Sequence, residues 1–502
     1  MLVDFRLWGR ILRLSTPVVI AMLTQTAINL MDTIMVGWLD PSYSIAGQSA
    51  LGYSLPLLWS VGGFLSSISV GTLAISARRL GEDDIASSGA TLTNSVSVAG
   101  TLGLLASIAA FFAVPYVFPL LNDNESVLAF GVPYAQYRLL GVLSMVTTIS
   151  YKSFFDGIGQ THVHMVAALI MNGTNIVLNY LLIFGIGPFP AMYVEGAGLA
   201  SLISTYIGLA LMIGWTFLPR YLKKFKYYRV KNLAPRVMWD IVKLSVPSGL
   251  ATVFVMTGFL LFLKIVGILD EQAVSQTLAA LPAYSGAFSE HFASLQHQVQ
   301  AAYDFHGRIF AADLAFMAIE ARPPIYTSAT KVIMDILSVT FMSAIAFGTG
   351  TATLVSQSLG RGEPQMATRY GWESVKLAAV IYGVLGLVTF IFPEQVLGLL
   401  SRDPAVIDAA IPSLRMLAAV ESVMAGALIL TQALFGAGAT RFIMWVELIL
   451  HSTCLVPLSY LFGIVLDWGL PGIWASVIIY VSALAVVIGI KFHGGSWKSI
   501  KV

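Results

Sequence analysis

Long apolar stretches separated by short polar segments run along the whole chain. Twelve of them have about the length of a membrane-crossing helix, which is roughly 20 residues. They lie at about residues 14–38, 48–76, 90–118, 129–155, 163–187, 196–219, 238–268, 332–357, 374–397, 408–435, 441–465 and 470–492. This pattern predicts an all-α polytopic membrane protein with twelve transmembrane helices.

The second half of the chain repeats motifs of the first half. The turn that contains Gly81 returns at Gly360, and the turn 155–161 returns as 434–440, both 279 residues later. Asp40 pairs with Asp270, only 230 residues later. Six spans in each repeat predict two six-helix lobes in the same orientation, a duplication typical of transporters. We expect an N-terminal lobe over 1–220, a basic linker over 221–237, a C-terminal lobe over 238–492 and a tail over 493–502.

Composition agrees with this class of protein. Hydrophobic residues make up 57% of the chain and charged residues only 11%, and the mean hydropathy is +0.81, which excludes a soluble protein of this length. The net charge of +2 gives no reason to expect nucleic acid as a partner. Cys454 is the single cysteine, so no intrachain disulfide is possible. We expect a monomer in a lipid bilayer.

Lys and Arg concentrate in the loops of one side. The segment from Arg220 to Arg236 alone carries seven of them, and such loops stay in the cytoplasm. Because the two chain ends lie on the same side as this segment, we predict that both termini are cytoplasmic. The expected location is a bacterial inner membrane.

The second repeat carries an insert of 49 residues within about 271–327, on the predicted outer side. Its apolar residues recur at steps of three and four, which predicts an amphipathic helix. The positions on this face are Phe288, Phe292, Leu295, Val299, Ala302, His306 and Ile309, of which only His306 is polar. His291, His297, His306, Glu290 and Asp304 match no standard metal-ligand spacing. A membrane enzyme or receptor that works through this insert is one alternative, although the insert shows no catalytic constellation.

Polar residues inside the spans are the candidate functional residues. A carboxylate at mid-bilayer costs about 2.5–3.5 kcal/mol on insertion scales, and Asp32 lies well inside the first span. Gln25 and Asn29 share one helical face with Asp32. Asn172, Asn175 and Asn179 share one face of the fifth span. If the two faces meet, the first lobe holds a polar chamber around one acid; otherwise the amides only join helices.

The second lobe offers Glu421, in the tenth span, as its other deep acid. Glu421 is a candidate for ion coupling or for structural pairing. Glu447 and His451 share a face of the eleventh span. Nucleotide-binding, metalloprotease and serine-hydrolase motifs are missing from the sequence. We therefore expect no enzyme activity and no cofactor, and energy from an ion gradient.

These motifs together resemble the multidrug and toxic compound extrusion (MATE) family, nearer to its NorM branch than to its DinF branch. The resemblance rests on Thr16-Pro17, Gln25-Thr26, the segment 31–37, the turn 157–161 and the segment 175–180. It implies a V-shaped pair of lobes and export of cationic or amphiphilic drugs in exchange for H⁺ or Na⁺.

The resemblance also assigns positions. The family's first-span aspartate matches Asp32, and its fifth-span polar position matches Asn179. Protonation of Asp32 would release a cationic drug outside. Some members are thought to bind a cation through a seventh-span glutamate and a tenth-span aspartate. The corresponding positions here are near Val255 and Met424, which are not acids. A sodium site in the second lobe would therefore need Glu421. A lipid-linked flippase of the same superfamily is the alternative transporter.

Overall fold

The computed structural model describes residues 4–121, 125–299 and 325–501, and these residues are almost entirely helical. The main helices are α1 (Phe5–Gly37), α2 (Pro41–Leu58), α3 (Ile68–Gly81), α4 (Ile85–Val117), α5 (Glu125–Leu140), α6 (Val142–Gly157), α7 (Thr161–Phe184), α8 (Tyr193–Thr216), α9 (Pro235–Val299), α10 (Ile325–Gly360), α11 (Pro364–Ile391), α12 (Pro404–Gly436), α13 (Thr440–Leu450) and α14 (Gly469–Gly494). A π-helical turn, Trp59–Gly63, links α2 to α3. Two more π turns, His451–Leu455 and Leu461–Val465, continue α13.

Eleven helices in the described part of the chain are long and apolar enough to cross a membrane. The remaining predicted span, about 129–155, is divided at Gly141 into α5 and α6 of 16 residues each. Both halves are shorter than a single span requires. The prediction of an all-helical polytopic membrane protein is thereby confirmed.

Several helices extend beyond the spans predicted from hydropathy. The first begins at Phe5, because the Asp4 side chain accepts hydrogen bonds from the backbone N–H groups of Arg6 and Leu7 and so caps α1. The predicted basic linker contains a short helix, Pro219–Phe225. Capping residues and amphipathic ends lie outside the apolar stretches, so a hydropathy pattern does not show them.

Helix contacts form two groups that follow the repeat. In the first group α1 packs on α7, α7 on α8, and α4 on α6. In the second group α12 packs on α10, α11 and α14, while α9 packs on α13. The groups meet mainly where α10 lies against α1 and α3.

The hydrogen bonds that join the two groups within the described residues lie at one end of the bundle, which we call the inner end. This end contains the start of α1 and the last turns of α3 and α10. Ser15 Oγ donates to the Phe347 carbonyl (3.0 Å), and Ser356 Oγ donates to the Ala74 carbonyl (2.9 Å). Gln357 Nε2 donates to the Gly157 carbonyl (2.8 Å). The lobes are therefore closed against each other at the inner end, which is the predicted cytoplasmic end.

The insert leaves and rejoins the bundle at one place. The Asp270 carboxylate accepts hydrogen bonds from the backbone N–H groups of Tyr326 and Thr327, both at 2.9 Å, and thereby caps α10. Helix α9 continues to Val299, so the first part of the predicted insert helix is helical. Its continuation through Ala302, His306 and Ile309 lies outside the described residues.

Candidate functional site

A buried polar cluster surrounds Asp32 in the first lobe. Asp32 is only 3% exposed. Its Oδ1 atom accepts a hydrogen bond from Asn179 Nδ2 (2.5 Å), which also donates to Asn175 Oδ1 (3.2 Å). Helices α1 and α7 pack together, so the two polar faces meet at Asp32 and Asn179, which is the first of the two alternatives. Asn179 Oδ1 has no hydrogen-bond partner among the described residues, which leaves an unused acceptor beside the carboxylate.

Helices α5 and α8 add residues that the sequence analysis did not assign to this site. Arg138 Nη1 lies 3.6 Å from Asp32 Oδ2 and donates a shorter hydrogen bond to Ser201 Oγ (2.9 Å). Asn175 Nδ2 donates to the hydroxyls of Ser201 (3.3 Å) and Ser204 (3.4 Å). A guanidinium therefore stands next to Asp32, in addition to the amides that the helical faces place there.

A signal for Arg138 was present in the sequence. A charged residue inside an apolar span needs a partner because burial of an unpaired charge is costly. The sequence alone gives neither the partner nor the distance, since α1 and α5 are far apart along the chain.

The other predicted residues of the first lobe lie at different places. Asn172 is buried and donates from Nδ2 to Thr24 Oγ1 (3.0 Å), which joins α7 to α1. Gln25 has an exposed side chain outside the Asp32 cluster, so its role in a polar cavity stays a prediction. The side chain of Asn29 lies outside the described residues.

Glu421 occupies a separate buried place in the second lobe. It is 5% exposed, and its Oε1 atom accepts a hydrogen bond from the Thr340 hydroxyl. Tyr382 donates to Ser343 Oγ (3.0 Å), which donates to the Thr340 carbonyl (3.0 Å). Hydroxyl groups of α10 and α11 thus surround Glu421. No basic side chain contacts Glu421 in the described part of the chain.

Metal binding finds no support in these clusters. Among residues 4–121, 125–299 and 325–501, no group of three or more His, Cys, Asp or Glu side chains is arranged to hold a metal ion. The polar groups instead suit the binding of a proton, a monovalent cation or a charged organic molecule.

Sequence comparison identifies the family. The MatE family model matches the chain twice, over residues 17–181 and 309–461. A probable multidrug resistance protein NorM from Thermotoga maritima is 22% identical, over 97% of this chain and 92% of that protein. A FAD transporter from Shewanella oneidensis is 24% identical, over 80% of this chain and 76% of that protein.

Solved structures show the same fold. A MOP superfamily transporter from Pyrococcus furiosus, described as having a binding pocket of reverse polarity, matches with a TM-score of 0.79 at 18% identity, over 98% of this chain and 96% of that chain. A multidrug resistance MATE family transporter in an outward-facing conformation matches with a TM-score of 0.77 at 19% identity, over 97% and 96%.

Two repeated helical lobes, closed at one end, and buried polar clusters between the spans define a polytopic membrane transporter. The chain belongs to the MATE family, as its sequence motifs indicated. Members of this family are transporters and not enzymes, so the alternative of a membrane enzyme that works through the insert is wrong.

Proposed function

We propose that this protein is a secondary-active exporter that exchanges organic cations or amphiphilic drugs for H⁺ or Na⁺ by alternating access. Asp32 is the proposed coupling residue. The observation that carries the proposal is the buried Asp32 carboxylate, held by Asn179 and only loosely by Arg138. An acid in this position is costly to keep ionised, so binding of a proton or cation there releases free energy.

Charge at the cluster changes with the state of Asp32. With Asp32 ionised, the carboxylate balances the Arg138 guanidinium, and Arg138 can keep its hydrogen bond to Ser201 while a cationic group takes its place beside Asp32. When Asp32 is protonated, the charge of the Arg138 guanidinium is no longer balanced. The cluster then has a net positive charge, which repels a cationic drug. Proton and drug therefore compete for one site, and this difference in affinity is what exchange requires.

The closed inner end supplies the second requirement for transport. Alternating access needs a state in which the site cannot be reached from the cytoplasm. The hydrogen bonds from Ser15, Ser356 and Gln357 join the lobes at the predicted cytoplasmic end, consistent with an outward-facing state. A bacterial inner membrane with both termini in the cytoplasm is the location that fits this arrangement.

The test is dye efflux from everted vesicles or proteoliposomes in which the proton gradient and the sodium gradient are collapsed separately. We expect efflux of a cationic dye to stop when one of the two gradients is removed and to persist when the other is removed. Efflux that is independent of both gradients would contradict the proposal.

Arg138 favours a second candidate, the export of anionic amphiphiles. Once Asp32 is protonated, the guanidinium is the unbalanced charge of the cluster and can pair with a phosphate or carboxylate. FAD, the substrate named for one similar transporter, and the lipid-linked molecules of the flippase alternative both belong to this class of anionic substrates. Competition between ethidium and FAD for transport distinguishes the candidates, because a cation exporter is inhibited by excess ethidium and is unaffected by excess FAD.

A further inference from the structure

A further buried acid lies in the eleventh span, apart from both Asp32 and Glu421. Glu447 of α13 is 7% exposed, and its Oε2 atom accepts a hydrogen bond from the Tyr480 hydroxyl of α14 (2.7 Å). His451, one turn further along the helix, is also buried, and its Nδ1 atom lies 3.4 Å from Glu447 Oε2. An acid, an imidazole and a phenol therefore form one buried group, the Glu447 cluster.

The hydrogen bonds fix the tautomer of His451. Its Nδ1 atom lies 2.8 Å from the backbone carbonyl oxygen of Glu447. A carbonyl oxygen only accepts, so Nδ1 carries a hydrogen. In the neutral ring Nε2 is then free to accept a proton. Two sites, Nε2 and the carboxylate, can take up one additional proton.

This cluster occupies the position in the second lobe that is equivalent, by the repeat, to the polar interface of the first lobe. The spacing of 279 residues that relates Gly81 to Gly360 also relates Asn172 to His451. Asn172 joins α7 to α1 in the first lobe, and His451 joins α13 to α9 in the second. A β-carbon built on Gly258 of α9 would lie 2.5 Å from His451 Cδ2, so the ring packs directly on that backbone.

Few other ionisable groups face the cluster. Helix α9 meets His451 at Gly258. Its charged residues with described side chains are Arg236, Asp240, Lys243, Lys264, Asp270 and Glu271, and each is at least six residues from Gly258. Helix α12 carries Glu421, which is bonded to Thr340, and the exposed Asp408 and Arg415. Helix α14 contributes Tyr480, with Lys491 and His493 in its last turn. Within the described residues, only Tyr480 and His451 contact the Glu447 carboxylate.

We propose that the Glu447–His451 pair is a proton-binding site in the second lobe that takes up one proton in each transport cycle, in addition to the proton or cation at Asp32. This inference rests on the proposed exchange function. Without an added proton the pair carries one negative charge, and with one it is neutral, which a low-dielectric interior favours. A sodium ion fits less well, because hard cations prefer oxygen ligands and an imidazole nitrogen occupies one side of the carboxylate.

Helices α13 and α9 connect this site to the contact between the two lobes. A π-helical turn begins at His451, and π turns often mark functional positions. Helix α9 also contacts the first lobe, where Gly71 packs against the Ile241 carbonyl and the Ser245 hydroxyl. Movement of the first lobe against α9 can therefore shift α9 relative to α13, which changes the packing of α9 on His451 and with it the proton affinity of the pair.

The experiment measures protons in two ways on the purified full-length protein. The first is the proton-to-dye ratio in proteoliposomes, obtained from the membrane potential at which net transport stops. The second is the infrared absorption of protonated carboxyl groups as the pH is changed. We expect Glu447→Gln to lower the ratio by one proton per dye and to remove one titrating carboxyl band. Glu363→Gln, which changes an exposed glutamate, is the control. It should keep the wild-type ratio and should leave in place the carboxyl band that Glu447→Gln removes.

His451→Asn serves as a second variant because it installs the residue of the equivalent first-lobe position and keeps the carboxylate. If Glu447→Gln fails to fold, His451→Asn should still move the pH midpoint of one carboxyl band. Unchanged bands and an unchanged ratio in the folded variants would overturn the proposal. A wild type without gradient-driven efflux would instead overturn the exchange function, and the infrared titration would still decide whether Glu447 binds a proton.

Discussion

Gly81 and Gly360, equivalent residues of the two repeats, lie against each other at the inner end of the bundle. A β-carbon on Gly360 would lie 3.0 Å from the Gly81 Cα atom and would overlap the Arg78 carbonyl oxygen. A β-carbon on Gly81 would overlap the carbonyl oxygen of Gln357, the repeat equivalent of Arg78. The contact is therefore symmetric, and only glycine allows α3 and α10 to approach so closely.

Alanine at these two glycines should open the inner end. Overpacking costs about 1–3 kcal/mol, which corresponds to a roughly five- to 150-fold change in the ratio of two states. We expect Gly81→Ala and Gly360→Ala to shift the protein from the arrangement closed at the inner end towards inward-facing states. Distances between spin labels on the inner ends of α3 and α10 measure this shift. Gly100→Ala is the control, because no atom lies within 4 Å of a β-carbon there.

Asp32→Asn should strongly reduce gradient-driven efflux while the protein still reaches the membrane. The substitution keeps the shape of the side chain but removes its charge and its proton. Coupling free energies of about 1–3 kcal/mol predict a loss of roughly five- to 150-fold. Dye efflux from proteoliposomes with an imposed gradient measures the effect. Asp335→Asn, an exposed acid paired with Lys331, is the control, and wild-type efflux by Asp32→Asn would rule out the coupling role.

Asn179→Leu should change the pH dependence of efflux. The leucine removes the hydrogen bond that Asn179 donates to Asp32 Oδ1, which stabilises the ionised form by about 1.5–3 kcal/mol. Without it, protonated Asp32 persists to higher pH, so the pH midpoint of efflux should rise. Efflux rates measured across a pH series test this direction. Asn172→Leu, which breaks only the bond to Thr24, should leave the midpoint in place.

Glu421→Gln should weaken efflux less than Asp32→Asn. The Thr340 hydroxyl can still donate to the amide oxygen, so the packing of α10 on α12 is retained. A proton or cation bound at Glu421 would be lost. Parallel efflux measurements on both variants decide the matter: equal losses would show that both lobes share the coupling.

Shortening the insert should leave transport intact. Residues 274–324 can be replaced by a short Gly-Ser linker, because Asp270 holds the start of α10 beside the end of the preceding span. Membrane abundance and dye efflux should stay close to those of the full chain. Loss of efflux at normal abundance would show that the insert takes part in transport.

Asp270→Ala should destabilise the protein by about 1 kcal/mol, since it removes the cap of α10.

The sequence by itself determined the class of protein, the duplication and the family. These features depend on hydrophobic periodicity and local motifs, which are properties of short segments. The same reasoning placed Asn175 and Asn179 on one helical face and Asp32 on another, while it left open whether the two faces meet. Spacing along a helix is enough for such a prediction because the α-helix has a fixed period.

Only the tertiary structure decided which distant residues meet. Arg138 beside Asp32, Tyr480 on Glu447 and Gly81 against Gly360 all join helices that are far apart in the sequence. Glu373 likewise accepts a hydrogen bond from Trp8 of the other lobe. Helix rotation and crossing are set by the packing of whole surfaces, and a single sequence does not contain that information in any local pattern.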